Sequence, residues 1–376
     1  MNKPPLVLFD CEAHSLSYFE EHLQNLDDQG VKGITFLIAE DYLHSPDTLT
    51  PFLKQMTVPV SGGLFTEIIY DGKYFTDGMI AILWFCEAHV STFLDASNVN
   101  SALYQRQAPI LEDETHKTSL VFTNTKTRAA EAALDALYYR SGQSSKYAGT
   151  GTGTLSALDA PSIFTNDGLV ADAVQIVSFP YEQKTLVGHG WSILSGPHLV
   201  TESEENRVKT LDYQAIKPYY ESLIKNSIGD KANDLTFEQM MEIYPIGIQP
   251  YDETMQVRAI YSYTDDCMQF FGDIPDFSSV YILSGERESL LSFVKNSSDK
   301  FEAIASEKPD LSIIFSCSGR RGHMAEKSDE ELTLLVNSLG ESRQVIGVRS
   351  IGEIASNSTG LACFHSMSLV VANLWI

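Results

Sequence analysis

Cysteine is scarce in this chain, and the few cysteines lie far apart. No two of them form a Cys-x-x-Cys pair, so the sequence predicts neither a disulfide framework nor a structural zinc site. Scattered thiols in odd number are typical of a reducing compartment, and we therefore expect the protein to be cytoplasmic. The five cysteines are Cys11, Cys86, Cys267, Cys317 and Cys363.

Positive charge and long apolar runs are also lacking. The chain has 26 Lys and Arg against 50 Asp and Glu, which gives a formal net charge of -24. This charge repels phosphate backbones and anionic lipid surfaces, so we expect no nucleic-acid partner and no membrane partner. The apolar run at residues 79–86 is far shorter than the ~18 residues of a membrane span. The first residues lack the apolar region of a signal peptide, which agrees with a cytoplasmic location.

Sequence signatures of common enzyme classes are missing. There is no Gly-x-Ser-x-Gly nucleophile elbow, no His-Glu-x-x-His zinc motif and no Cys-x-x-Cys-His motif for haem attachment. Glycine and threonine alternate over residues 149–154, but no Gly-Lys-Ser/Thr follows, so a tight turn is favoured over a phosphate loop. We therefore predict a protein that is not an enzyme.

What the chain does contain is the composition of an ordinary globular protein. Hydrophobic residues make up 43% of its 376 residues and charged residues 20%, and this length favours two domains. Strand-like runs mix with amphipathic helices, and Asp71-Gly72 and Asn166-Asp167-Gly168 indicate hairpins. Because hairpins are frequent and a strict βαβ rhythm is absent, we predict an α+β fold. It would have two related α/β halves with mixed, largely antiparallel sheets flanked by helices.

Short stretches near the two ends of the chain look alike. Residues 6–11 are similar to residues 312–317, and residues 63–68 are similar to residues 350–354. In each half an apolar strand with a tryptophan follows, Trp84 in one and Trp375 in the other. The matches are short, so the sequence leaves both duplication and coincidence of strand patterns open.

The last third of the chain places reactive side chains where strands give way to loops. Cys317 and Arg320 follow a buried strand, and Glu353 follows the next strand. Because loops at strand ends often carry binding groups, we predict that this thiol, guanidinium and carboxylate converge on a ligand. Arg320 could lower the thiol pKa or hold a ligand carboxylate. It could instead pair with Glu353 or with backbone, and the sequence leaves these alternatives open.

Two histidines and a tryptophan complete the predicted ligand site. His189 lies between two glycines and just before Trp191, which suits either a tight strand crossing or a ligand-facing imidazole. His365 lies just before the last strand. An enzyme with Cys317 as nucleophile and His365 or His323 as base is an alternative that the sequence leaves open.

Taken together, these stretches resemble the FIST family, a sensory module of paired N-terminal and C-terminal FIST domains. The likeness covers most of the chain and implies a FIST N-terminal domain at 1–225 and a FIST C-terminal domain at 226–376. Two serines, Ser366 and Ser368, depart from the His-Asn-x-Thr ending that is typical of the family. The stretches that carry the resemblance are Gly188-His189-Gly190-Trp191, Val200-Thr201, Leu211-Asp212, residues 315–320, residues 352–354 and residues 365–368.

The resemblance implies a signal-transduction protein that binds a small ligand, with amino acids proposed for the family. It also implies a partner, which in bacteria is typically a two-component histidine kinase or a cyclic-di-GMP enzyme. No kinase, cyclase or F-box-like segment is recognisable, so we expect signalling through contacts with a separate protein. Some relatives are haem proteins that sense nitric oxide, and in that alternative His189 or another histidine would be the axial ligand.

Overall fold

The computed structural model describes residues 3–11, 16–42, 46–94, 96, 118–124, 131, 134–135, 146–154, 156–157, 160–249, 255–305, 308–340, 343–357 and 360–375. Within them the strands form four sheets, with pairings that are mostly antiparallel and in a few places parallel. The predicted α+β fold, with mixed and largely antiparallel sheets flanked by helices, is therefore confirmed. None of the helices in these ranges combines the length and apolarity that a membrane crossing requires.

Three of the sheets are built on one arrangement of four strands. The strands of the first copy are β1 Leu6–Asp10, β2 Gly33–Ala39, β3 Val60–Phe65, β4 Glu67–Tyr70, β5 Lys73–Phe75 and β6 Met79–Trp84. Strands β2 and β3 are parallel neighbours, with the helix Pro46–Lys54 between them in the chain. Strand β6 lies antiparallel between β1 and β2. The four strands of this arrangement therefore lie side by side in the order β1, β6, β2, β3, which is first, fourth, second, third in chain order, and β4 and β5 form a separate hairpin.

The same order and the same directions occur in two further copies. The strands of the second copy are β7 His89–Phe93, β8 Thr118–Asn124, β9 Lys146–Thr152, β10 Ile163–Thr165, β11 Gly168–Val170 and β12 Val174–Phe179. The strands of the third copy are β13 Glu182–Gly188, β22 Leu311–Cys317, β23 Val345–Ser350, β24 Glu353–Ser356, β25 Ala362–His365 and β26 Leu369–Trp375. Pairs β8–β9 and β22–β23 are parallel, as is β2–β3, and the remaining pairs are antiparallel.

Each copy completes its sheet with the hairpin of another copy. Hairpin β4–β5 of the first copy pairs with β23 of the third, where Glu67 lies opposite Arg349. Hairpin β10–β11 of the second copy pairs with β3 of the first. Hairpin β24–β25 of the third copy pairs with β9 of the second, where Glu353 lies opposite Thr150. The three copies are therefore linked in a closed cycle of exchanged hairpins.

A glycine at one equivalent position supports the correspondence of the three copies. Gly62 in β3, Gly149 in β9 and Gly347 in β23 occupy the same place in the parallel pair of each copy. A Cβ atom at any of the three would overlap the carbonyl oxygen of the paired residue, so the backbones approach too closely for a side chain. The paired residues are Phe36, Val121 and Ile314.

The three sheets pack their inner faces into one apolar core, and helices cover the outer faces of the first and third sheets. Neighbouring residues of a middle strand point to opposite faces, and both faces are covered, so β2, β8 and β22 are buried along their whole length. The inner core includes Leu37, Leu120 and Ile313, whereas the outer clusters include Phe36, Val121 and Ile314. The helices of the first copy are Ser17–His22 and Pro46–Lys54. Those of the third copy are Arg287–Asn296, Ser298–Ala305, Ser318–Met324 and Ser328–Leu339.

Residues 192–284 form the fourth sheet and are inserted between β13 and β22 of the third copy. This inserted unit has its own apolar core, which the helices Ile216–Ile228 and Phe237–Ile243 share. The chain enters it through residues 189–191 and leaves it through residues 285–290. Its strands are β14 Ser192–Glu204, β15 Arg207–Leu211, β16 Gln214–Ala215, β17 Ile246–Ile248, β18 Gln256–Arg258, β19 Ile260–Tyr263, β20 Met268–Phe270 and β21 Ser279–Ser284.

Two sequence interpretations need correction. Residues 6–11 contain β1, whose counterpart in the third copy is β13 and not β22, because β1 is the first strand of its copy. Residues 149–152 are part of β9 and do not form a tight turn, because their glycines let β9 approach β8 closely. Two of the three sheets combine strands from both sides of residue 225, and the division into domains at 1–225 and 226–376 stays a prediction.

Candidate functional site

Cys317 and Glu353 lie in contact at the meeting point of several strands. Cys317 ends β22 and Glu353 begins β24, and both are buried, with exposures of 4% and 0%. The carboxyl group accepts hydrogen bonds from Ser350 Oγ at 2.8 Å and from Ser368 Oγ at 2.6 Å. The Cys317 thiol adds a third hydrogen bond. The carboxyl group therefore joins the end of β22, the end of β23 and the residue before β26.

Burial decides the protonation of this pair. It raises the pKa of Glu353 above its ordinary range, although the hydrogen bonds from Ser368, Ser350 and Cys317 act in the opposite direction. Burial also raises the pKa of Cys317, and the neighbouring Glu353 raises it further. Backbone N–H groups at the start of helix Ser318–Met324 favour the thiolate but do not outweigh these effects. A protonated, enclosed thiol is not an activated nucleophile, so this geometry does not favour cysteine catalysis.

Arg320 pairs with Glu331 and not with Glu353. The guanidinium is fully buried, and its Nε and Nη2 donate to Glu331 Oε1 at 3.0 and 2.6 Å. The remaining N–H groups donate to the backbone carbonyls of His189, Met367 and Leu290. The alternative of pairing with Glu353 is therefore wrong, whereas the alternative of backbone contacts is confirmed.

His189 and Trp191 lie on the same side of Arg320. His189 Nδ1 accepts a hydrogen bond from the Trp191 backbone N–H at 2.9 Å. Burial and the nearby Arg320 guanidinium lower the pKa of His189 to about 4, so its imidazole is neutral at physiological pH. The Trp191 indole N–H donates to the Met367 carbonyl at 3.0 Å. The same carbonyl accepts from Arg320, so it holds both side chains.

His365 lies opposite Glu353 in the β24–β25 pair and is 5% exposed. Burial, together with the charges of Arg258 and His189, lowers the pKa of His365 to about 3. His365 is therefore held neutral in the folded protein.

We expect the neutral state of His365 to make the protein less stable in acid. Its pKa is about 3 when folded and about 6.5 when unfolded, so the unfolded chain takes up the proton first as the pH falls. The free energy of unfolding should fall by about 1.4 kcal/mol per pH unit from this group, from pH 6.5 downwards. Urea unfolding of wild type and His365→Phe across this range measures the slope. The variant should have the flatter profile, and the exposed His22→Gln is the control. Equal slopes in all three proteins would contradict this assignment.

The six predicted residues form one connected group, which we call the junction cluster: Cys317, Arg320, Glu353, His189, Trp191 and His365. Cys317 and Glu353 contact Ser368, and Trp191 and Arg320 contact the adjacent Met367 carbonyl. All of its members except His189 are buried. The cluster is thus a packed polar junction and not an open cleft.

Sequence reasoning missed several partners of the junction cluster. Glu331 gave no signal, because it follows two other acidic residues at the start of a helix and looked like part of a solvated face. The sequence also did not predict a second buried ion pair, between Arg349 and Glu67. Arg349 contacts Glu67 of the exchanged hairpin β4–β5 and stacks over the Tyr74 ring at 3.7 Å. Arg321, which is more exposed, reaches the same carboxylate at 3.2 Å.

His189 does not fit the role of a haem ligand. His189 Nδ1 accepts from Trp191, and the ring also makes a hydrogen bond to the Met255 backbone. Both ring nitrogens are therefore engaged, and ligation would break one of these bonds. Among the residues with described positions, no group of three or more His, Cys, Asp or Glu side chains is arranged to hold a metal ion.

Two open cavities described on the protein surface lie away from the junction cluster. One, of about 600 Å³, is lined by β3, β7 and the β10–β11 hairpin, and the other, of about 550 Å³, lies between the helices Ser17–His22 and Pro46–Lys54. None of the six predicted residues lines either cavity.

Two models of known protein families match consecutive parts of the chain. Residues 33–214 match the FIST N domain, and residues 215–356 match the FIST C domain that follows it directly. No curated protein matches the chain. FIST domains are sensory domains, so the pair indicates a general role in sensing or signalling. On this evidence the chain belongs to the FIST family.

Proposed function

We propose that the chain is a sensor in which a small ligand, without being chemically changed, alters how the inserted unit is held on the three-sheet body, by which we mean the first, second and third copies together. A partner signalling protein would read the difference between the two arrangements. The observation that carries this proposal is that the junction cluster contacts both chain connections to the inserted unit. A ligand that binds one arrangement better shifts the population towards it.

Arg320 links the two connections directly. It donates to the carbonyl of His189, just before the inserted unit, and to that of Leu290 at 3.4 Å, just after it. The Trp191 ring lies so close to Gly285 that an added Cβ would come within 2.8 Å of it. His323, on the helix that carries Arg320, donates to the Gly285 carbonyl at 2.6 Å. A movement of Arg320 would therefore change hydrogen bonds at both chain connections to the inserted unit.

A second polar contact fixes the other side of the inserted unit. Arg258 donates to the Phe364 carbonyl at 2.7 Å, and Ser366 accepts from the Ala259 N–H at 2.7 Å. Glu131 completes this contact with an ion pair to Arg258 at 2.9 Å. These residues adjoin His365, so the hairpin β24–β25 connects the second contact to Glu353. Direct contacts therefore connect the junction cluster with the inserted unit on this side as well.

A free amino acid is the ligand class that the cluster supports best. Its carboxylate and ammonium groups are the charge complements of Arg320 and Glu331, which lie 2.6 Å apart in a site without solvent. A zwitterion inserted between them would replace one buried ion pair by two, so neither charge would be left unpaired. The pair would open in doing so, and the Arg320 contacts to the two connections would change.

Amino-acid binding should raise the melting temperature of the protein. A ligand at 100 times its Kd stabilises the folded state by about 2.7 kcal/mol, which is measurable by differential scanning fluorimetry across the twenty amino acids at millimolar concentration. Arg320→Lys should lose the shift, since a lysine cannot hold a carboxylate with two parallel bonds. Arg321→Gln, a partly exposed neighbour on the same helix, should keep it. An unmoved melting temperature for wild type with every amino acid would refute this ligand class.

The partner in this proposal is a histidine kinase or a cyclic-di-GMP enzyme, as the sensory role of the family supports. The measurement is the autophosphorylation or cyclase rate of a candidate partner with the sensor alone and with sensor plus ligand. A rate that changes only when the ligand is present supports regulation. A rate that never changes removes that partner.

A further inference from the structure

Three side chains of the inserted unit form a hydrogen-bonded chain that the sensory proposal does not use. Ser195 Oγ lies 2.9 Å from His198 Nε2, and His198 Nδ1 lies 2.8 Å from Asp212 Oδ2. The other carboxylate oxygen, Oδ1, accepts from the Leu199 backbone N–H at 2.9 Å, and Tyr219 donates to Oδ2 at 3.0 Å. A hydroxyl, an imidazole and a carboxylate in this order are the signature of an activated nucleophile.

The local backbone explains why these residues meet. Strand β14 shifts its register against β21 between Ile193 and Ser195 and again between Ser195 and His198. Such bulges turn side chains away from their regular alternation, so Ser195 and His198 come to the same side. Asp212 follows β15 with a left-handed φ of 49°, which an aspartate tolerates better than most residues, and this turn aims it at His198.

The charge of Asp212 sets the direction of the hydrogen bonds. Partial burial acts to raise the pKa of Asp212, but the hydrogen bonds from Leu199, His198 and Tyr219 outweigh it and hold the pKa below its ordinary value. The ionised carboxylate can only accept, so His198 carries its proton on Nδ1. The lone pair of Nε2 then faces Ser195, whose hydroxyl donates to it. This is the arrangement in which an imidazole can take the serine proton.

Ser195 is accessible while its base is enclosed. The His198 side chain is 10% exposed, whereas Ser195 is half-buried and is followed by the exposed Gly196 and Pro197. Ile193 on the same strand is 54% exposed and offers an apolar surface beside the hydroxyl. The net charge of -24 repels anionic reagents, so a neutral substrate is favoured.

We propose that Ser195 is a nucleophile activated by His198 and Asp212, and that it accepts the acyl group of small, neutral carboxylic esters. Ser195 Oγ attacks the carbonyl carbon as its proton passes to His198 Nε2. The bond between the carbonyl carbon and the alkoxy oxygen breaks, and the leaving alkoxide takes that proton and departs as an alcohol. Water then attacks the acyl carbon as its proton passes to His198 Nε2, the bond between that carbon and Ser195 Oγ breaks, Oγ takes the proton back from His198, and the carboxylic acid departs. Asp212 acts as a positioning residue that fixes the tautomer.

The test is labelling of the full chain with a fluorophosphonate probe and with p-nitrophenyl acetate, followed by peptide mass mapping. We expect one adduct at Ser195, none in Ser195→Ala, and labelling slower by about 10²–10⁴-fold in His198→Gln. Asp212→Asn should also slow labelling and alter its pH profile, which a purely structural role of Asp212 would not do. Ser192→Ala removes an exposed hydroxyl that donates only to the Ser284 carbonyl at 3.1 Å, and labelling should be unchanged.

Two outcomes would overturn this proposal. One is the absence of any adduct at Ser195 in the wild-type protein, and this result is decisive even if a variant fails to fold. The other is labelling of Ser195 at the same rate in folded His198→Gln. Neither outcome depends on ligand-induced changes in melting temperature, so the sensory proposal stands or falls separately.

Discussion

Replacing Glu331 by glutamine is expected to lower the free energy of unfolding by about 3–5 kcal/mol, since it leaves a buried guanidinium without its counter-charge. Arg320 is 0% exposed and Glu331 is 2% exposed, so water cannot compensate for the lost partner. Urea unfolding followed by circular dichroism measures the change. The loss should be large because the same guanidinium also holds the carbonyls of His189 and Leu290.

The neighbouring glutamate supplies a matched control for this experiment. Glu330 lies on the same helix but pairs with Lys327 and Lys295 at the surface, with 43% of its side chain exposed. Exposed pairs contribute about 0–1 kcal/mol, so Glu330→Gln should change stability by that amount or less. Similar losses for Glu330→Gln and Glu331→Gln would show that Arg320 does not depend on its buried partner.

The sequence located the members of the junction cluster better than it located their contacts. The ends of buried strands are readable from apolar runs, and this placed Cys317 and Glu353 at neighbouring strand ends. The helix that begins with Ser328 carries three acidic residues in its first turn, and local pattern does not show which of them faces inward. The ion pair with Arg320, on the helix Ser318–Met324, shows that Glu331 is the one that faces inward, and only the tertiary structure reveals this pair.

The exchange of hairpins was beyond sequence reasoning for a related reason. Strand patterns such as residues 63–68 show that a hairpin follows a strand, and this much was predictable. They do not show that β4 pairs with β23, which lies in the last part of the chain. Local periodicity shows which face of a strand is buried but does not identify the strand that pairs with it. Residues 63–68 and 350–354, which look alike in sequence, occupy the same place in their copies, since each stretch contains the end of the third strand and the start of the exchanged hairpin.

Alanine at Gly62, Gly149 or Gly347 is expected to destabilise the protein at all three positions. Each added Cβ would overlap a carbonyl oxygen of the paired strand, and forcing a methyl group into a close-packed core costs about 1–3 kcal/mol or more. Gly62 also has a φ of +104°, so its loss should be the largest of the three. Thermal and urea unfolding of the three single variants measure the effect.

A glycine with free space around it provides the comparison. Gly322, in the helix Ser318–Met324, has no atom within 4 Å of an added Cβ, so Gly322→Ala should leave stability unchanged or raise it by about 0.4–1 kcal/mol. Wild-type stability in Gly149→Ala or Gly347→Ala would mean that the parallel strands of that copy do not approach closely. Losses at all three positions, with none at Gly322, are expected only if one steric constraint recurs in three copies. Such a constraint keeps a glycine in place even where the surrounding sequences differ.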